Sequence, residues 1–406
     1  MRGRVITAVM LTLAVAGGAF LAFRGPTDGG TAAPSGASSS ATGSASGGAT
    51  ASGASPSTSS TGDGTGVSPT DPAQTGLPPI TKLKKGEKPP QFVVLSFDGA
   101  CKTELFNHYL QLAKQVNGHF TFFLSGLCEV PDRQRFLYHP PHKPVGYSAI
   151  GFGEASLIPQ RIRDITEAYN SGNEIGTHFL GHFCDAKGVG IWSSADWTSE
   201  ITQARYFLDH WAEVNGNTDP SLKLPFDSHV WKGARTPCLA GKSSQMFPVW
   251  KKQGFTYDAS RTGTLTWPKR VSHFPTMWEF PLERINIVGY NKTNLSMDYN
   301  LLYVQNKAKQ TAPPATCAKI QKSTYQSYTQ ALAAVERTNH APFFIGNHFN
   351  NWVCGAYVNA LTQFAIDAKA KYPDIQFVTF AWLAQWMSAQ DPKVLASLQK
   401  KPAPKY

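Results

Sequence analysis

The six cysteines of this 406-residue sequence contain no C-x-x-C pair. An even count in an exported chain then reads as disulfides, with connectivity open. There is no G-x-G-x-x-G, and no G-K-[ST] follows the first strand, so nucleotide-binding α/β folds lose ground. No nucleic-acid-binding motif is present either, and export argues against such a role. Acids are scarce: 27 Asp and Glu face 38 Lys and Arg, for a formal charge of +11. That balance favours anionic surroundings such as wall polymers or lipid headgroups. Its plainer reading is solubility alone.

What is present begins with two arginines in Met1 to Arg4, then an uncharged apolar run from Val5 to Phe23. The run has the length of a bilayer span. It also suits a signal peptide, with Ala14-Val15-Ala16 as a small-x-small cleavage pattern. Residues 1–24 are therefore expected to be a signal peptide or an N-terminal membrane anchor. Residues 25–85 are mostly Gly, Ser, Thr, Ala and Pro. They cannot bury enough apolar surface to offset chain entropy and read as a disordered tether or a glycosylated stalk. A folded domain is expected over 86–390 and a loose tail over 391–406.

In the folded part, strand-like runs alternate with helical ones at least six times. Gln91 to Phe97, His119 to Ser125, Glu174 to Thr177, Val230 to Arg235, Met277 to Ile285, Phe343 to His348 and Ile375 to Phe380 read as strands. This predicts an α/β fold with a largely parallel sheet, best closed as a barrel. A long loop rich in Pro and Tyr covers 129 to 158.

One stretch organises the rest: Asn173 to Asp185, with His178 and His182 four residues apart at a strand end. At that spacing both imidazoles reach one ion. Asp98, Arg235, Asp258 and His348 also fall at strand ends, where a barrel gathers its active site. One carboxylate and two imidazoles form a facial metal site that acidifies water and polarises a carbonyl. His348 is placed to protonate a leaving group. Arg235 is suited to hold a carboxylate through paired hydrogen bonds. Together these suit hydrolysis of an amide or ester.

These residues resemble the polysaccharide deacetylase family, the NodB-homology domain. The family's T-F-D-D-G is similar to Ser96-Phe97-Asp98-Gly99-Ala100, and its H-[ST]-x-x-H to His178-Phe179-Leu180-Gly181-His182. Its R-x-P-[YF] is similar to Arg235-Thr236-Pro237-Cys238, and its final L-x-H to Gly346-Asn347-His348. Tyr257-Asp258 through Trp267 is loosely like the fourth motif. The resemblance spans roughly 90 to 390. It implies a distorted, incomplete (β/α) barrel and metal-dependent removal of acetyl groups from N-acetylglucosamine polymers. It also implies His178 and His182 as metal ligands, Arg235 as partner of the catalytic carboxylate, and His348 as general acid.

The family has two adjacent aspartates, a base and a ligand, where this chain has only Asp98. Aligned through Phe97 it is the base; aligned through Gly99 it is the third ligand. Asp185 and Asp258 are the other carboxylates within reach of the motifs. The expected cofactor is one divalent ion, zinc first, with cobalt or nickel as alternatives. The expected partner is a polysaccharide, with no nucleic acid, a membrane only through an uncleaved N-terminus, and a monomeric chain. Trp267 and Trp352 are expected to line the cleft. Cys101 and Cys128 pair if their strands are neighbours, and a disulfide through Cys184 and Cys238 is expected to brace the site. A glycan-binding module without activity is the alternative reading, and a hydrolase of another amide or ester is a third.

Overall fold

The computed structural model describes residues 76–405. The export segment expected over 1–24, and the linker up to residue 75, lie outside the described residues. The elements run β1 (Phe92–Gly99), α1 (Thr103–Gln115), β2 (Thr121–Leu124), α2 (Ile158–Asn170), β3 (Glu174–Thr177), α3 (Ser194–Asp209), α4 (Trp211–Asn215) and β4 (Gly233–Ala234). There follow α5 (Ser243–Lys252), β5 (Tyr257–Asp258), β6 (Thr262–Gly263), β7 (Lys269–Val271), β8 (Phe274–Glu279), β9 (Leu282–Ile287) and β10 (Lys292–Leu295). The chain closes with α6 (Asp298–Asn306), α7 (Pro314–Arg337), β11 (Phe343–His348), α8 (Trp352–Lys371), β12 (Gln376–Phe377), α9 (Phe380–Ala389) and α10 (Pro392–Gln399).

The main sheet has the order β11-β1-β2-β3-β4-β5-β8-β7, with β12 also pairing β1. Its pairings are parallel except β7 with β8. β1 and β2 are apolar and buried on both faces, as strands between helices and a filled interior must be. The sheet curls. Phe380 opens α9 and lies 5.4 Å from the rings of Phe344, Phe280 and Tyr257, and 6.0 Å from Phe123. Those rings belong to β11, the end of β8, β5 and β2. One side chain meets strands that far apart only where the sheet bends around it. The result is a half-barrel: a distorted, incomplete (β/α) barrel. The α9 backbone is tied into its floor, with Phe380 N–H on Thr121 Oγ1 and Ala381 N–H on Glu174 Oε2.

Three expectations need correction. The strand expected over Val230 to Arg235 shrinks to two residues, because Ser228–Val230 turns as a 3₁₀ helix. Gly233 there has no room for a side chain; a Cβ would meet the Tyr257 ring at 2.5 Å. The linker expected to reach residue 85 ends earlier. Trp382 Nε1–H donates to the Pro78 carbonyl, Gln390 Nε2–H to the Thr81 carbonyl, and Leu83 N–H to Gln390 Oε1. The tail after Asp391 is not loose: Asp391 caps α10, which buries Leu395 and Leu398, and Asn339 holds the Pro402 carbonyl. Apolar residues at helical spacing, Leu395 and Leu398, carried that signal in a segment too short to stand out.

Three disulfides join Cys101 to Cys128, Cys184 to Cys238 and Cys317 to Cys354. The first links the ends of neighbouring strands β1 and β2. Among the described residues, no helix is long and apolar enough to cross a membrane.

Candidate active site

Register brings the strand-end residues to one edge. β1 and β11 pair with Asp98 beside His348. Thr177 of β3 lies beside Leu124 of β2 on one side and Ala234 of β4 on the other. His178 and Arg235, each one residue further along, therefore emerge at the same carboxyl edge as Asp98.

Arg235 is fully buried and spends its donors in three directions. Nη1–H donates to Asp98 Oδ1 at 2.8 Å, Nη2–H to Ser96 Oγ at 2.9 Å, and Nε–H to the Ala259 carbonyl at 3.1 Å. The paired grip on one carboxylate expected from the sequence is thus a single bond. Ser96, two residues before Asp98 on β1, takes the second arm. The guanidinium also lies over the Phe123 ring at 4.9 Å. Burial by itself raises the pKa of Asp98. The charge of Arg235, then those of His178 and His348, outweigh burial and hold the carboxyl below its ordinary value.

His178 Nδ1–H donates to the Arg235 carbonyl at 2.8 Å. A carbonyl only accepts, so this bond fixes the tautomer and leaves the Nε2 lone pair free. That Nε2 is buried without a protein partner. The His182 ring centre is 5.1 Å from that of His178. Burial lowers the pKa of both; His182 falls to about 3, helped by His178 and His348. Both imidazoles are neutral at physiological pH, as metal ligands must be.

The loop carrying them is strained. Phe179 and His182 have φ of 62° and 54°, a left-handed conformation costing about 1–3 kcal/mol each for residues other than glycine. It persists because it is clamped. Glu200 of α3 is fully buried, and its Oε1 accepts the backbone N–H groups of Leu180 at 3.1 Å and Gly181 at 3.3 Å. Tyr138 O–H donates to the same carboxylate at 2.9 Å. The Cys184–Cys238 disulfide ties the loop to the Arg235 strand, as expected of a brace.

His348 Nδ1–H donates to Asp298 Oδ1 at 2.7 Å, and its backbone N–H to Asp298 Oδ2 at 2.7 Å. Burial pushes the imidazole down, but the charge and hydrogen bond of Asp298, then Asp98, push it further up. The result is a histidine kept protonated above its ordinary range.

Donor chemistry tests the expected metal set. The two imidazoles fit: both are neutral, and one has a buried, unpaired lone pair. Asp98 does not complete the set. Among the described residues, the one group of three His, Cys or acidic side chains with donor atoms all within 4.8 Å is His182, Cys184 and Cys238. Its two sulfurs form a disulfide and are not thiolates. Aligned through Phe97, Gly99 falls at the second position of the family's aspartate pair, with φ of 92°, where a side chain is strained.

Neither substitute carboxylate joins the histidines. Asp185 is exposed and paired with Lys143. Asp258 is buried beside β5, accepting from Trp250 Nε1–H at 3.1 Å and Ser260 Oγ–H at 2.8 Å. Ser260 Oγ in turn accepts the Thr236 N–H, so Asp258 shapes the backbone beside Arg235. Trp267 does not line a cleft; it is buried against Trp386 with its N–H on the Asn339 carbonyl. Trp352 lies 5.3 Å from the His348 ring and 5.8 Å from Tyr299. Sequence reasoning missed Asp298 and Glu200. Each sits on a helix distant in sequence from its partner, and no spacing rule links them.

Two buried acids, Glu129 and the loop clamp Glu200, give a pH prediction. Burial raises Glu129 and Glu200 to about 7, against an ordinary 4.5, Arg161 and Tyr138 opposing it respectively. The native state holds more protons than the unfolded chain between those values. Their contribution to stability is therefore full below pH 4.5 and lost as pH rises through about 7, by roughly 3 kcal/mol per group at most. Thermal melts should show a lower midpoint at pH 8 than at pH 5. Glu129→Gln combined with Glu200→Gln should flatten that slope; an unchanged slope would assign it elsewhere.

No family model matches the chain. It is 25% identical over 183 residues to chitin deacetylase 1 of Bombyx mori, a match covering 44% of this chain and 27% of that protein. The motif residues of the resemblance, Asp98, His178, His182, Arg235 and His348, meet at one barrel edge. Together with that relative, they support a resemblance to a divergent polysaccharide deacetylase. The chain spans about a quarter of the length of the curated relative it matches. Among solved structures, the Puue allantoinase has a TM-score of 0.44 at 15% identity, covering 79% of this chain and 97% of that one. The peptidoglycan deacetylase PdaC of Bacillus subtilis has a TM-score of 0.36 at 13% identity, covering 74% and 92%. Where the family's paired aspartates lie, this chain has one, and Arg235 holds it.

Proposed function

We propose that this chain is an exported hydrolase that removes acetyl groups from an N-acetylated cell-wall or extracellular polysaccharide. One observation carries the reading. Asp98 and His348 sit side by side on adjacent strands and are driven to opposite protonation states by separate partners, Arg235 and Asp298. A base and an acid with pKa values pushed apart are what amide hydrolysis requires. Asp98 takes a proton from water as its oxygen bonds to the acetyl carbon. His348 gives its Nε2 proton to the amine nitrogen as the C–N bond breaks. Acetate and a free amine result. In this assignment Asp98 is the base and Arg235 its positioning partner.

His178 and His182 would hold a divalent ion, zinc first and cobalt or nickel as alternatives. When bound, it supplies charge to polarise the acetyl carbonyl and acidify water. His178 Nδ1, fixed on the Arg235 carbonyl, aims Nε2 for that role. The third protein ligand is left to water in this proposal. We place the export segment at 1–24 and end the tether near residue 76. N-terminal sequencing of the mature protein distinguishes cleavage from anchoring.

The missing second aspartate favours one other reading, a wall-binding module that kept the fold without activity. Acetate release from acetylated chito-oligosaccharides, peptidoglycan and xylan, after chelator washing and reloading with zinc, separates the two. The hydrolase reading expects release with about one metal per chain, lost in His178→Ala. Glycan binding without release under any metal leaves the module.

A further inference from the structure

Of nine large apolar side chains that stand exposed among the described residues, five fall in the loop before α2: Phe136, Val145, Tyr147, Ile150 and Leu157. Scattered exposed apolar residues need no account; five in one loop do. This loop is not loosely attached. Tyr138 is buried with its hydroxyl on Glu200, and its carbonyl accepts the Gly146 N–H at 2.8 Å. Ala149 N–H donates to the Gly181 carbonyl at 2.9 Å, and Lys143 pairs with Asp185. The Tyr147 ring stacks on Phe183 at 5.9 Å and 15°, yet is 48% exposed. Phe183 is the residue after His182. A fixed aromatic ring with an open face thus stands one contact away from the histidine pair.

Trp352 stands at the other flank, beside His348 of β11. β11 and β3 are separated by β1 and β2. Three strand spacings make roughly 14 Å along the curve of the sheet. A small amide reaches one aromatic flank; only an extended ligand reaches both.

The geometry points to Tyr147 as a sugar-stacking platform of a distal subsite, which receives a pyranose ring of the glycan several units from the one deacetylated. Pyranose rings present apolar C–H faces that suit an aromatic plane, and Val145 and Ile150, exposed in the same loop, add apolar surface. The neutralised Lys143–Asp185 pair adds no net charge, so the platform selects for ring and chain length rather than for charge. This inference rests on the reading of the chain as a deacetylase of polysaccharide.

The test uses the full chain and N-acetylated chito-oligosaccharides of two to six units. With the parent, kcat/KM is expected to climb with chain length. Tyr147→Ala should raise KM on the hexamer roughly three- to tenfold, with kcat and the dimer unchanged. Tyr147→Phe keeps the ring and should restore parental values, which a merely damaged loop would not do. Tyr147→Ala kinetics equal to the parent at every length would overturn the platform. So would a loss of kcat on the dimer together with the hexamer. If the parent releases no acetate at all, the deacetylase reading fails separately, and calorimetric titration with the hexamer then decides the platform. Binding weakened in Tyr147→Ala and kept in Tyr147→Phe supports it. Equal binding by all three, or binding only to anionic vesicles, refutes it.

Discussion

Asp98→Asn is expected to lower acetate release by about 10²–10⁴-fold, the usual contribution of a positioned base. Stoichiometric metal should remain. Asparagine keeps the shape and can still accept from Arg235 Nη1, but it takes no proton from water. Metal stays because Asp98 is engaged with Arg235 and does not join His178 and His182 in a common donor set. Elemental analysis beside the kinetics reads both outcomes, and metal lost together with activity would make Asp98 a ligand instead. The variant should also be less stable. Arg235 and Asp98 are 0% and 2% exposed, and removing one partner of such a pair costs about 3–5 kcal/mol. The folded pKa of Asp98 lies below its ordinary 3.8, so the stability it confers is present above that pH and lost as pH falls through the folded value. The melting gap between parent and variant should therefore be widest near neutrality and close in acid. A gap independent of pH would point to lost packing rather than a lost charge.

The same residues show what the sequence could and could not convey. Strand ends were legible because apolar runs such as Phe92 to Phe97 stop abruptly at a polar residue. Parallel strands deliver those residues to one edge, so the convergence of Asp98, His178, Arg235 and His348 follows from the order of the strands alone. The His178–His182 spacing signalled a shared turn. What escaped depends on contacts between elements remote in sequence. Asp298 opens a helix 50 residues before His348 and has no motif of its own. Glu200 sits among apolar neighbours on α3, where a carboxylate looks exposed until the loop N–H groups it satisfies are seen. The size and motif position of Trp267 suggest a cleft residue, but it is core. Large aromatics are more often core, and its N–H found a buried carbonyl. Composition alone extends the linker to residue 85, because it does not register that Pro78 and Thr81 offer carbonyls to α9 and its cap.

His348→Ala should also cost about 10²–10⁴-fold in kcat/KM, and at every pH, since no group replaces the donated proton. Asp298→Asn separates the histidine's presence from its protonation. In the parent, Asp98 is ionised from below pH 3.8 and His348 keeps its proton to above pH 6.5, so both are correctly charged across that interval. The alkaline limb of kcat/KM then falls above 6.5, where His348 deprotonates. In Asp298→Asn the carboxylate charge is gone. Asparagine also cannot accept from both Nδ1–H and the backbone N–H of His348, as the two carboxylate oxygens now do. Burial, the largest influence on this imidazole, then lowers its pKa with only Asp98 opposing. The alkaline limb should move to lower pH, with the rate recovering toward the parental plateau on the acid side. Recovery in acid is the decisive feature, because a misfolded or mispositioned His348 would lose rate evenly across the profile. An unmoved limb in Asp298→Asn would show that the proton given to the amine does not come from His348.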